Sequence, residues 1–579
     1  MNLSSNDEEK VAFLDIVLDC CEDEDCIQLR VALVVWEWGH QEMLSSDQIR
    51  TVPQFLVDSA GRWPDQVWCR TPEGEISRAD VVHRARRLAS GLRATGVKPG
   101  QRVIVAVPNS IEFLVAWFGA IFAEAPVQAV NPRATASELA AVVAALQPSA
   151  VLSNADDVHQ LGDAVGGSTT PVAVYDIAEL EAAGSLKDAT SPYVPDVVVN
   201  PMREMAYLQT SGSTGEPKFI IRNHSMYTLA AEAFPFWTGL LDRDVMYTNL
   251  PLAHGNAQLY SVLGSFGLGA KLALLPRFSA TTFWDEIHEY GATQFNAIGA
   301  MLEILMSQPE RETDRTHRVR ICYTAPAPSR TRHLEIEDRF NMHLVIGYSQ
   351  SEAGGFGLIM PLTGPAKYGS MGKPRQHPNF PDITDVRVVN AEGELKGVEQ
   401  LGELEIRNPT ATPGFLNRPE ESAALRRPDG WLRTGDLGWL DADGYVFFGG
   451  RYKELIRHKG ENLSPAEVER VLEEHPAVAT AAVVGVPSEL SEEDVKGFVV
   501  LQATATATHQ ELFDWCSERL PHYKRPRYLE FVDVFPETEN HKVAKTRLSR
   551  ERTANEADAE ANVTRSSKVP SLTNKADRG

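Results

Sequence analysis

The segment Thr210-Ser211-Gly212-Ser213-Thr214-Gly215-Glu216-Pro217-Lys218 sets anion-binding groups side by side. Glycine lets the backbone approach an anion closely, hydroxyls donate to its oxygens, and the lysine neutralises its charge. Strand-like runs, Ala206 to Leu208 and Phe219 to Ile221, flank it. It is not a loop of the Walker type, because the fifth residue after Gly212 is Pro217 rather than glycine. A polar hairpin is the plain alternative. Hydroxyls interleaved with glycines and closed by Pro-Lys favour phosphate.

Further along, Gly347-Tyr348-Ser349-Gln350-Ser351-Glu352, Thr434-Gly435-Asp436 and Gly450-Arg451-Tyr452-Lys453-Glu454 carry aromatic, acidic and basic side chains at short spacing. Lys459-Gly460-Glu461-Asn462 follows, and then Pro536-x-Thr538 with Lys542. Singly, each has an ordinary explanation: Tyr348 as a core aromatic, Asp436 as a turn former, Lys542 as a surface lysine.

The elements that must position these residues read as α/β. Arg102 to Pro108 and Val127 to Val130 are buried-strand runs, with an apolar helix expected from Ile111 to Phe122. Val151-Leu152, Val172 to Val174 and Val197 to Val199 are further strand candidates. No repeat of fixed period is visible. The texture changes near residue 450, where Gly449-Gly450-Arg451-Tyr452-Lys453 is turn-rich and charged. Beyond it, Ser464-Pro465-Ala466-Glu467 and Thr508-His509-Gln510-Glu511 read as capping boxes opening two helices, with strands at Ala481 to Val486 and Val495 to Leu501. The expected organisation is an N-terminal extension (1–50), a large domain with mixed sheets and helices (51–450), a hinge (451–453), a small α+β domain (454–552) and a disordered tail (553–579), the tail being polar and poor in large apolar residues.

With 579 residues, 43% hydrophobic and 23% charged, the chain reads as globular and long enough for about three to five structural units. Lys+Arg 56 against Asp+Glu 79 leaves a net charge of −23, with no basic stripe to meet nucleic-acid phosphates. Phe113 to Ala123 is the longest apolar stretch and is too short to span a bilayer. An acidic start with Asp7, Glu8 and Glu9 does not resemble a secretory signal, so a cytoplasmic enzyme is expected. Six cysteines in so long a chain make no disulfide framework. Cys20, Cys21 and Cys26 lack the paired spacing of a structural zinc site, and residues 1–50 read as a partly helical extension.

Taken together and in order, these motifs resemble those of the adenylate-forming superfamily of acyl-CoA synthetases, carrier-protein adenylation domains and luciferases, over roughly residues 50–550. The resemblance implies ATP-dependent activation of a small carboxylic acid through an acyl-adenylate. Thr210 to Gly215 and Lys218 would bind phosphate, Tyr348 would stack on adenine, Asp436 would take the ribose hydroxyls, and Arg451 would contact ribose and phosphate. Ser349, Gln350 and Ser351 complete that motif, with Ser351 where threonine is usual; Glu352 would hold Mg²⁺. Lys453 would be the hinge, Lys542 would bridge carboxylate and nucleotide, and the loop at Lys459 would line the thiol's approach. Two departures stand out. The family's glycine-rich adenine loop appears as Tyr323-Thr324-Ala325-Pro326-Ala327-Pro328, so Ala327 and Pro328 stand where glycines are expected; and His541 replaces the glycine before Lys542.

Pro251 to Gln258, Arg277 to Asp285, Gly291-Ala292-Thr293, Gly299 to Leu302, Trp515-Cys516 and Pro526-Arg527-Tyr528 resemble the crotonobetaine/carnitine-CoA ligase-like branch. That implies transfer to CoA, with His254, Asn256, Gly299 and Met301 around the acyl pocket and His254 among the catalytic residues. No aromatic cage for a quaternary ammonium can be assembled from the sequence. A carrier-protein phosphopantetheine, an unusual nucleophile such as nitrite, and a non-catalytic relative are the competing readings.

Overall fold

The computed structural model describes residues 49–131, 134–166, 172–185, 200–211, 217–364, 366–458, 461–488, 492–502, 505–536, 543–553 and 555–559. The extension 1–48, the strand candidate Val197 to Val199 and the segment 560–579 lie outside them.

Two sheets build the large domain. The first has six strands in the order Ala173–Asp176, Ala150–Ser153, Val103–Val105, Val127–Ala129, Glu204–Ser211, Pro217–Asn223, parallel except for the last. The Val103–Val105 strand is buried on both faces, as its unbroken apolar run requires. The expected helix forms at Ile111–Phe122, capped by Ser110, whose hydroxyl accepts from the Phe113 amide at 3.1 Å. Every residue from Phe113 to Phe122 is buried, and Trp117 and Phe118 are fully enclosed. This stretch is apolar because it crosses the core. Among the described residues no helix is long and apolar enough to cross a membrane.

The second sheet has thirteen strands and changes character halfway. Val67–Thr71, Lys271–Leu274, Val245–Thr248, Gln294–Ile298, Ile321–Ala325 and His343–Tyr348 run parallel, with Gly74–Ser77 antiparallel to Val67–Thr71 at one edge. From His343–Tyr348 outward the pairing is antiparallel, through Leu358–Ile359, Ser370–Pro374, Val446–Arg451, Leu432–Leu440, Gly402–Arg407 and Asp385–Val389. The parallel strands share one carboxyl edge, where loops can converge on a ligand.

Beyond residue 455, a hairpin (Ile456–His458 with Glu461–Leu463) leads into a four-stranded sheet ordered Val478–Pro487, Glu493–Leu501, Tyr528–Phe531, Glu556–Asp558. Helices Pro465–Glu473 and His509–Arg519 cover it around Val468, Leu472, Val499, Leu512 and Cys516.

Two expectations need correction. Thr508 and Glu511 form the capping box, but Ser464 and Glu467 do not. Glu467 is drawn away by the Lys524 ammonium at 2.6 Å, leaving Pro465 at the first position as the start signal. The tail does not begin at 553: Glu556–Asp558 is the fourth strand of the sheet. Ion pairs hold it where apolar residues would normally do so. Lys496, 1% exposed, lies 2.8 Å from both Glu530 and Glu556, while Arg527 and Arg552 reach Asp558.

Removing one partner of a buried ion pair leaves the other charge poorly compensated. With Glu530 still present, Glu556→Gln is expected to cost about 1–3 kcal/mol, read by urea unfolding of the full chain. Truncation after Arg552 is expected to cost more and to expose the small unit to limited proteolysis. Unchanged stability in both would refute an ion-paired fourth strand.

Candidate active site

The carboxyl edge of the parallel strands gathers the expected residues. His254 and Asn256 follow Val245–Thr248, Gly299 follows Gln294–Ile298, Ala327 and Pro328 follow Ile321–Ala325, and Tyr348 to Glu352 extend His343–Tyr348. Asp436 and Arg451 face each other as a register pair between Leu432–Leu440 and Val446–Arg451.

Asp436, 3% exposed, is the centre of a clamp. The Tyr348 hydroxyl donates to its Oδ2 at 2.7 Å, and the Gln350 amide donates to the same oxygen at 2.7 Å and to the Thr434 carbonyl at 2.8 Å. Arg451 Nε stands 3.4 Å from Oδ1. The Thr434 hydroxyl accepts from the Asp436 amide at 3.0 Å and donates to the Leu404 carbonyl at 2.6 Å, which fixes the turn through Gly435. Burial, then the Asp436 charge, push the Tyr348 phenol well above its ordinary pKa, so it remains a donor. Among the described residues Arg451 is the one group paired with Oδ1.

Glu352 is half-buried beside this clamp, and its carbonyl accepts from the Thr412 amide at 2.8 Å. Asn408 braces the following loop by donating to the Ala353 and Phe356 carbonyls at 3.1 and 3.0 Å. Gly354 takes φ +73° with the Thr410 carbonyl only 2.3 Å from where a Cβ would sit, so no other residue fits. Burial lifts the Glu352 carboxyl above its ordinary pKa; Arg222 and Arg451 oppose this and Asp436 adds to it.

The antiparallel pairing of Glu204–Ser211 with Pro217–Asn223 places Thr210 opposite Lys218. Gly212, Ser213, Thr214 and Gly215 lie outside the described residues, as does the Ser211 side chain. Lys218 pairs with Glu421 and stands 5.8 Å above the Phe415 ring. Lys459, His541 and Lys542 also lie outside the described residues; Lys453 is exposed in the short turn Tyr452–Glu454.

Around the expected acyl pocket, Asn296 donates to Asn256 at 2.7 Å, Met301 is buried and His254 is half-buried. Gly299 lies under Pro326, whose Cδ is 3.3 Å from its would-be Cβ. The structure also brings in residues that the sequence did not single out. Trp237, Tyr260 and Tyr323 surround the Arg375 guanidinium, with ring centres 4.9, 5.5 and 5.4 Å from its Cζ. Arg222, on Pro217–Asn223, is 2% exposed beneath Gly255. A charged residue directly after the apolar run from Phe219 to Ile221 was the one available signal for it. Nothing local marks Arg375, whose rings come from three distant elements.

The AMP-binding enzyme family model matches residues 56–416, and that of the AMP-binding enzyme C-terminal domain matches residues 467–542. The chain is 31% identical to oxalate–CoA ligase of Arabidopsis thaliana, over 85% of this chain and 97% of that protein. It is 27% identical to crotonobetaine/carnitine–CoA ligase of Salmonella heidelberg (strain SL476), over 86% and 98%. ATP-bound MatB from Rhodopseudomonas palustris shares the fold, with a TM-score of 0.77 at 23% identity over 85% of this chain and 97% of that one. A match over more than half the chain, together with a relative aligned along nearly its whole length, places this protein in the AMP-binding enzyme family.

Proposed function

We propose that this chain is an AMP-forming acid–CoA ligase, converting a carboxylic acid, ATP and CoA to acyl-CoA, AMP and pyrophosphate. The observation that carries this reading is the convergence of Tyr348, Gln350 and Arg451 on the buried Asp436, beside Glu352, at the edge where the parallel strands end. Similarity to two CoA ligases along nearly their full length supports the choice of thiol.

In the first step an oxygen of the acid attacks the α-phosphorus and pyrophosphate leaves; in the second the CoA sulfur attacks the acyl carbon and AMP leaves. Asp436 receives the ribose hydroxyls on Oδ1 while Tyr348 and Gln350 hold Oδ2, so the carboxylate is already oriented before nucleotide arrives. The Tyr348 ring would stack on adenine, with Ala327 and Pro328 following the neighbouring strand. Arg451 reaches ribose and phosphate. The segment from Thr210 to Gly215, Ser351 and Lys218 take the outer phosphates. Charge gathers on the phosphoryl oxygens in the transition state, so cations held in place beforehand are the main catalytic resource.

Glu352 suits Mg²⁺. It is a half-buried hard ligand, and Mg²⁺ keeps waters and phosphate oxygens in the rest of its shell. When bound, the ion supplies positive charge to those oxygens. The small domain supplies Lys542 for the first step and the loop at Lys459-Gly460 for the second, turning about Lys453. A cytoplasmic setting and an acceptor of CoA rather than a carrier-protein thiol belong to the same proposal.

Product analysis tests it directly. AMP and pyrophosphate are expected in equal amounts, with a thioester only when CoA is present; stoichiometric ADP and phosphate would be incompatible with it. Losing a hydrogen-bonded charge at the ribose costs roughly 1.5–3 kcal/mol, so Asp436→Ala is expected to raise the KM for ATP about 10- to 100-fold with little change in the KM for the acid. An unchanged KM for ATP would remove Asp436 from the nucleotide site.

The two half-reactions separate the lysine from the loop. Removing one charged donor aimed at a transition state costs about 10²–10³ in rate. Lys542→Ala is expected to slow adenylate formation by that factor and to spare CoA attack on supplied acyl-adenylate. Gly460→Leu is expected to do the reverse, since a side chain there obstructs the thiol. Equal loss of both steps in both folded variants would falsify the division of labour.

A further inference from the structure

Lys218 and Arg418 converge on a single carboxylate. The Lys218 ammonium pairs with Oε2 of Glu421, and Arg418 Nη1 stands 3.2 Å from its Oε1. The Lys218, Arg418 and Glu421 side chains are 19%, 32% and 35% exposed, so a ligand can reach all three. Lys218 foremost, and Arg418 with it, hold the Glu421 carboxyl below the usual carboxylate range, which keeps it ionised at neutral pH. One negative charge against two positive leaves the group cationic.

The backbone fixes where these groups stand. The Leu416 amide donates to the Phe219 carbonyl at 2.9 Å and the Ile221 amide to the Gly414 carbonyl at 3.0 Å. Ile220 and Phe415 form a bridge between them, so the stretch 414–416 runs beside Pro217–Asn223 and puts the Phe415 ring under Lys218. The chain then turns. The Ser422 hydroxyl accepts from the Phe415 amide at 2.8 Å and donates to the Arg418 carbonyl at 2.6 Å. Arg418 and Glu421 are therefore carried on one closed turn.

The same stretch is fastened to Glu352. The Thr412 amide donates to the Glu352 carbonyl at 2.8 Å, and the Thr412 hydroxyl donates to the Ile221 carbonyl at 2.6 Å. The two cations and the carboxylate proposed for Mg²⁺ thus share one length of backbone. Two like charges held this way repel unless an anion lies between them. Glu421 supplies that anion, but an ion pair this exposed is weak, and a group with more negative charge displaces it. Phosphate is such a group: lysine meets it as a point charge and arginine through directed N–H donors.

We infer that Glu421 holds the anion position between Lys218 and Arg418 that an outer phosphate of ATP takes over on binding, and that Arg418 is a second cation of the triphosphate site. The inference rests on the reading above, in which Lys218 takes an outer phosphate. A phosphate of CoA is the other anion of the same chemistry. An ordinary surface ion pair predicts instead that losing Glu421 changes no ligand's affinity.

The test is calorimetric titration of the full chain with ATP and Mg²⁺, pyrophosphate, AMP and CoA, in the wild type and in three variants. AMP has no outer phosphates, so its affinity reports whether the rest of the nucleotide site is intact. Glu421→Gln is expected to tighten ATP and pyrophosphate about 2- to 5-fold, the strength of one partly exposed ion pair, with AMP and CoA unchanged. Arg418→Met is expected to weaken ATP and pyrophosphate about 10-fold, again with AMP unchanged. Arg418→Lys should recover part of that loss.

Weaker or unchanged ATP binding in Glu421→Gln would overturn the inference, because a displaced anion can only compete. So would unchanged ATP binding in Arg418→Met, or an equal shift for AMP in either variant. A shift confined to CoA would also overturn it, assigning the two cations to the acceptor. None of these outcomes touches the ligase reading, which stands or falls on AMP release and thioester formation by the wild type. A wild type that binds no ATP overturns both.

Discussion

Asp436 draws its donors from separate stretches of chain: Tyr348 and Gln350 from the last parallel strand and its extension, Arg451 from the neighbouring antiparallel strand, and its own amide bond to Thr434 across a tight turn. A carboxylate this deeply buried is tolerable only when it is surrounded in this way. The constraint reaches outward. The thirteen-stranded sheet must change from parallel to antiparallel beside Tyr348 for Leu432–Leu440 to approach, and the loop through Gly354 must turn back under Asn408 to keep Glu352 alongside. The site is where two styles of sheet are joined.

Three buried cations are handled in the same way, by saturation with acceptors. Arg78 ties the N-terminal helices to the Ser265–Ala270 carbonyls, Arg375 locks the Leu358 segment to Tyr260 and Tyr323, and Lys496 pins the last strand through Glu530 and Glu556. Such groups add little net stability compared with apolar replacements, but they punish misplacement severely.

Much of the frame was legible in one dimension. The apolar run at Ile111–Phe122, the Thr508–Glu511 box and the strands at Val103 and Ala150 are local signals, since periodicity and capping involve residues within a turn or two of one another. The Ser464–Glu467 box failed because a distant lysine competes for Glu467, and the fourth strand of the small sheet was missed because it is polar and held by charge. Both errors came from long-range ion pairs, which leave no periodic trace.

The sequence by itself determined which chemical groups exist and their order: hydroxyls with glycines at Thr210 to Gly215, Tyr348 to Glu352, Asp436 and Arg451, spaced so that separate loops carry them. Only the tertiary structure decided that Tyr348, Gln350 and Arg451 share one carboxylate, and that the aromatic cage is closed by Arg375. The physical reason is that whether a charge is satisfied depends on every neighbour within a few ångströms, and for these groups the neighbours lie as far apart along the chain as Trp237 and Arg375.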